Sequence, residues 1–101
     1  VLACFVPDAE FTVATFNVTY RGRDTEVRGM FDRLFRRYPG VWHGEFRHVI
    51  QPPDLVSTRF RVENTTDAGE TIRKNNCNFF RLRGERFDDV RVYMSGDNAL
   101  R

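Results

Sequence analysis

NNCNFFRLRGERFDDVRVYM, running from Asn75 to Met94, reads as two long strands joined by a tight turn at Arg83-Gly84-Glu85-Arg86. Gly84 supplies the positive φ that a two-residue hairpin loop needs. Whether the loop is Arg83-Gly84 or Gly84-Glu85, even positions pair with odd ones. One face then carries Asn75, Cys77 and Phe79 with Asp88, Val90, Val92 and Met94. It is mostly apolar and is assigned to the core. The other carries Asn76, Asn78, Phe80 and Leu82 with Phe87, Asp89, Arg91 and Tyr93. That mixture suits a half-wet face or a subunit contact with cross-strand pairs.

Upstream, Val41–Gln51 and Leu55–Thr65 read as two more strands around a Pro52-Pro53-Asp54 turn. Alternation puts Trp42, Phe46, His48 and Ile50 on one face of the first, and His43, Glu45, Arg47 and Gln51 on the other. In the second, Val56, Thr58, Phe60 and Val62 share a face. Val27, Met30, Phe31, Leu34, Phe35 and Tyr38 recur at helical spacing, so Asp24–Tyr38 is predicted to be a helix with one apolar stripe. Asp24 or Thr25 caps its start and Pro39-Gly40 ends it. Val1–Val6 reads as the last turn of a helix stopped by Pro7-Asp8. Ala9–Phe16 reads as a strand, and Asn17–Gly22 as a loop with Tyr20 at its rim. Ser95-Gly96-Asp97 breaks the last strand and leaves a short tail. Strand, helix, then four long antiparallel strands make an α+β fold, read as one domain over residues 1–101. Long strands twist, so the sheet should curl around helix 24–38 and leave a cavity for a small hydrophobic ligand.

Composition narrows the function classes. The 101 residues are 41% hydrophobic, with ten Phe, and 30% charged, which supports a packed core rather than disorder. The net charge is only +2 and the Arg residues are dispersed, so no nucleic-acid stripe is expected. No stretch is long and apolar enough to suggest a membrane span. Cys4 and Cys77 without CxxC spacing suit a reduced, cytoplasmic protein. His43 and His48, on opposite strand faces by alternation, make no metal site. No Gly-rich phosphate loop or Ser/His/Asp arrangement implies a cofactor or nucleophile.

The segments Phe5-Val6-Pro7-Asp8-Ala9-Glu10-Phe11, Tyr20-Arg21-Gly22-Arg23-Asp24, Phe80-Arg81-Leu82-Arg83-Gly84 and Phe87-Asp88-Asp89-Val90-Arg91-Val92-Tyr93-Met94 together carry a resemblance. In order and spacing they resemble the SnoaL-like branch of the NTF2-like superfamily, with its polyketide cyclases, ketosteroid isomerases and limonene epoxide hydrolases. The resemblance implies a cone: a strongly curved antiparallel sheet wrapped around the helix. The family's opening helix would precede Val1, and its terminal Asp is Ser95 here. Carried over residue by residue, the epoxide hydrolase acid falls at Val92, and its Arg and Asp fall near Phe60 and Val62. All three positions are apolar, so that hydrolysis has no acid or base.

The candidate base is therefore His48, among Trp42, Phe46 and Ile50, where burial would keep it neutral. Asp88, the only acid on the inward hairpin face, is the candidate second acid. Asn75 and Thr58 are candidate hydrogen-bonding groups, Tyr20 and Trp42 a candidate mouth, and Phe60, Val62, Val90 and Val92 candidate lining. Two functions follow. One is cofactor-independent proton abstraction next to a carbonyl on a hydrophobic substrate. The other is a non-catalytic binding or interaction module. The mixed outer face further suggests a homodimer.

Overall fold

A computed structural model describes residues 1–101. Six strands form one curved, unclosed sheet, and one α-helix packs on its concave side. The strands are β1 (Phe5–Val13), β2 (Val18–Arg21), β3 (Gly40–Gln51), β4 (Leu55–Thr65), β5 (Thr71–Arg83) and β6 (Arg86–Met94), and the helix α1 spans Arg28–Arg37. Their order across the sheet is β2-β1-β6-β5-β4-β3, which leaves β3 an edge strand.

The sheet is antiparallel except where β1 runs parallel to β6, with Phe11 beside Val90 and Val13 beside Val92. Residues read as the end of a helix form a single 3-10 turn, Leu2–Cys4, and then enter β1. Pro7 lies inside β1, where the pairing with β6 is interrupted between Phe5 and Glu10, so its missing N–H breaks no ladder bond. The expected loop at Asn17–Gly22 contains β2, held by Thr12 and Thr19 hydroxyls 3.0 Å apart. The helix opens with a wider turn of π type, Gly22–Val27. Its free N–H end is met by Glu26, whose Oε1 accepts from the Arg21 amide at 2.8 Å.

The apolar stripe of the helix turns to the core except at Phe35, which is 51% exposed. Val27 and Met30 are wholly enclosed against Phe5, Phe11, Val13, Val90 and Val92. Phe31 packs its ring 6.0 Å from Phe5 and 5.8 Å from Phe11.

Two bulges decide which side chains face inward. In β3, Gly44 pairs with Arg61 but Arg47 pairs with Arg59, so Glu45 and Phe46 together oppose Phe60. Glu45 takes the extra turn at φ 57°. In the hairpin, Leu82 pairs with Phe87 as the turn dictates, yet Arg81 pairs with Asp89, leaving Asp88 unpaired. Beyond that point even positions meet even ones: Phe80 with Val90, Asn78 with Val92, Asn76 with Met94. The facing expected for β5 is thus reversed. Asn75, Cys77 and Phe79 lie on the convex side, where Phe79 meets Tyr93 edge-on at 5.9 Å.

Candidate functional site

Where the sheet curls away from α1 there is a cavity of about 480 Å³. Phe31 and Leu34 from α1, Phe60 and Val62 from β4, Phe80 from β5 and Val90 and Val92 from β6 make it largely apolar. Ala99 and Leu100 close one side, because the tail folds back. Arg37 donates to the Ala99 carbonyl at 2.9 Å, and the Tyr20 hydroxyl donates to that of Leu100 at 3.1 Å.

A polar band crosses this wall: His43, Asn64, Lys74, Asn76 and Asn78. No Asp or Glu lines the cavity. Asn64 is only 2% exposed, and its Oδ1, like those of Asn76 and Asn78, has no hydrogen-bond partner in the protein. Buried carboxamides are normally satisfied, so this cluster is unusual for a merely structural wall. Lys74 is 5% exposed, and its Nζ donates to the carbonyls of Ser95, at 2.9 Å, and Asp97. Burial pulls its pKa down, and the nearby Asp97 carboxylate opposes the shift. His43 keeps part of its surface exposed but packs its ring 5.1 Å from that of Phe60, and this partial desolvation lowers its pKa, so the imidazole is neutral at neutral pH. His43 and Lys74 both flank Val62 in the sheet, which sets their backbones about 10 Å apart across two strand spacings.

Of the residues singled out from the sequence, Phe60, Val62, Val90 and Val92 meet at the cavity wall. Thr58 is buried beside them on the same face, its Oγ1 also without a partner. The rest lie elsewhere. His48 faces the concave side but stands beyond the cavity, exposed and stacked 5.8 Å from Phe46, because nothing covers the far end of an edge strand. Trp42 is turned to the convex side by the β3 bulge and lies across Gly44, where a side chain would collide with its indole. Asn75 is exposed on the convex side, its amide donating to Ser95 Oγ at 2.8 Å. Asp88, the extra residue of the hairpin bulge, pairs with Arg83 at 2.9 Å and Arg81 at 3.4 Å. The hydrogen bond from Arg83 holds its carboxyl below the usual range, so it is a fixed anion and not an acid. Tyr20 holds the tail and carries the Arg33 guanidinium over its ring at 5.6 Å.

The sequence reading placed His43, Asn76 and Asn78 on the outer side and did not single out Asn64 or Lys74. A signal was present: Lys74, Asn76, Asn78 and Phe80 alternate with period two, and Asn64 is in phase with Val56 to Val62.

No helix of the chain is long and apolar enough to cross a membrane. No protein of curated function matches the sequence. Among solved structures, a protein with a ketosteroid isomerase-like fold from Catenulispora acidiphila, in complex with trimethylamine, superimposes with a TM-score of 0.80 at 16% identity, over 91% of this chain and 70% of its own. A SnoaL-like protein from Jannaschia, described as a polyketide cyclase, gives 0.79 at 14%, over 92% and 68%. An NTF2-like protein from Anabaena variabilis gives 0.80 at 19%, over 95% and 72%. At such identities the likeness is one of fold. The family model described as the SnoaL-like domain matches residues 1–90, and the chain belongs to that family.

Proposed function

We propose that the cavity binds a small, mostly apolar molecule that carries a few polar groups. The observation behind this reading is the pairing of an apolar wall with buried carboxamides that the protein itself leaves unsatisfied. A ligand hydroxyl or N–H would donate to these oxygens. The test is titration with the fluorescent amine N-phenyl-1-naphthylamine, in wild type and in Val62→Phe, which fills the cavity. Saturable binding that is lost in Val62→Phe is expected. Binding that survives the filling would place the dye elsewhere and overturn the reading.

Acid–base catalysis on the bound molecule is favoured by one observation: His43 presents a neutral imidazole at this wall, replacing His48 as candidate base. The imidazole would take a proton from the carbon next to a ligand carbonyl, and carboxamide N–H groups would stabilise the enolate oxygen. Deuterium exchange at the α-carbons of 2-tetralone, followed by NMR, checks this. Acceleration by wild type that disappears in His43→Gln is expected. No acceleration leaves the non-catalytic binding module. The convex face, with Val49, Leu55, Phe79 and Tyr93 exposed, supports a homodimer. Sedimentation of wild type against Phe79→Glu measures it.

A further inference from the structure

Lys74 is the only Lys or Arg on the cavity wall, and that wall holds no carboxylate. Lys74 enters none of the chain's ion pairs. Arg61, Arg73, Arg81, Arg83 and Arg91, on the sheet faces and the hairpin, each have an acidic partner, and the unpaired Arg47, Arg59 and Arg86 are exposed to water, as Lys74 is not. An ammonium has three N–H donors, and the carbonyls of Ser95 and Asp97 accept two of them. The buried ammonium is thus held by neutral carbonyls, with the Asp97 carboxylate nearby but outside ion-pair distance, and is only partly compensated. Asn76 follows Lys74 by two residues on the same strand face, and Asn64 lies on the neighbouring strand, so neutral carboxamides flank the charge.

We infer that the ligand is an organic acid: an apolar, ring-sized body lying along Phe60, Val90 and Val92, with an ionised oxygen seated at Lys74. This rests on the cavity being a ligand site, and it adds the charge of the ligand. The alternative role for Lys74 is a strut that only holds the 95–97 turn.

Two dyes of one skeleton separate these. N-phenyl-1-naphthylamine is neutral, and 8-anilino-1-naphthalenesulfonate is the same body with an anionic group. Wild type is expected to bind the sulfonate about tenfold or more tightly than the neutral dye. Lys74→Gln keeps a donor for the turn. It is expected to retain the wild-type circular dichroism and its affinity for the neutral dye while losing the preference. Neutral-dye binding without a sulfonate preference in wild type, or a preference that persists in Lys74→Gln, overturns the inference alone. Failure of both dyes to bind removes the cavity reading beneath it. A second measurement needs no variant: 2-naphthoate should displace the bound neutral dye from wild type at about one-tenth the concentration of 2-naphthamide. Equal potency overturns the inference.

Discussion

Replacing Asn64 with Val should make this protein more stable. Asn64 is 2% exposed near the end of β4, and its carboxamide oxygen has no partner. Leaving a buried acceptor unpaired costs about 1–3 kcal/mol, and Val removes that atom. Val also favours the pleated strand, on a scale spanning about 1 kcal/mol. Its methyl groups would meet the apolar wall. Together these give a gain of about 2 kcal/mol. At a urea dependence of about 2 kcal/mol per molar for a chain of this size, the midpoint should rise by about 1 M with no change in slope. Heated, the variant should melt about 10 °C higher. Urea unfolding at 25 °C, followed by the fluorescence of the single Trp, measures it directly. A midpoint that falls would show that Asn64 is satisfied within the fold. The claim that the wall holds its polar groups in reserve for a ligand would then fail at its best-buried member. Asn64→Val should also weaken binding of any ligand with a hydroxyl at that point, which would make the residue one kept at a cost in stability.

Gly44→Ala would drive a methyl group into the Trp42 indole, so it should destabilise by about 1–3 kcal/mol and shift the Trp emission; an unchanged melting curve and spectrum would refute the packing described. Asp88 titrates below its ordinary 3.8 because the Arg83 hydrogen bond favours the carboxylate, so its stabilisation is complete above that pH and is lost as pH falls through the folded value. Asp88→Asn should therefore be less stable than wild type at neutral pH, with the gap closing below pH 3.8, as acid-series melting curves would show. His43 is shifted in the same direction, at a higher pH. Burial holds it below its ordinary 6.5, so on acidification the unfolded chain takes up that proton first and stability falls as pH drops from 6.5 through the folded value. In His43→Gln that slope should be absent, and a slope identical to wild type would show the ring to be fully solvated.

The parts of the fold that depend on runs of side chains were legible in the sequence. β4 has the bounds that alternation implies, Leu55–Thr65, and the stripe from Val27 to Tyr38 faces the core except at Phe35. What could not be read was phase. A bulge adds one residue and moves everything beyond it to the other face, and neither bulge here has a compositional marker. In β3 the left-handed residue is Glu45, although Gly44 stands beside it. One inserted residue puts His43 and His48, five apart, on the same face, and sends Trp42 outward. In the hairpin, pairing was read correctly at the turn, and the extra Asp88 then reversed all of β5. The polar band was hidden by that reversal, because Asn76 and Asn78 were read as solvated. The candidate site was legible only where residues are apolar on any reading, as at Phe60, Val62, Val90 and Val92.

The folded-back tail has a property of its own. Lys74, Arg37 and Tyr20 reach it from β5, α1 and β2, and they grip it by the main-chain oxygens of Ser95, Asp97, Ala99, Leu100 and Arg101. Main-chain oxygens belong to every amino acid. Much of the instruction for seating this segment is therefore written in three distant side chains rather than in the segment. Within the segment, Ser95 accepts the Asn75 amide at its Oγ, Gly96 takes φ 73°, Asn98 accepts the Leu100 amide, and Ala99 and Leu100 pack; yet a change at any of the three gripping residues would loosen a stretch whose sequence had not altered.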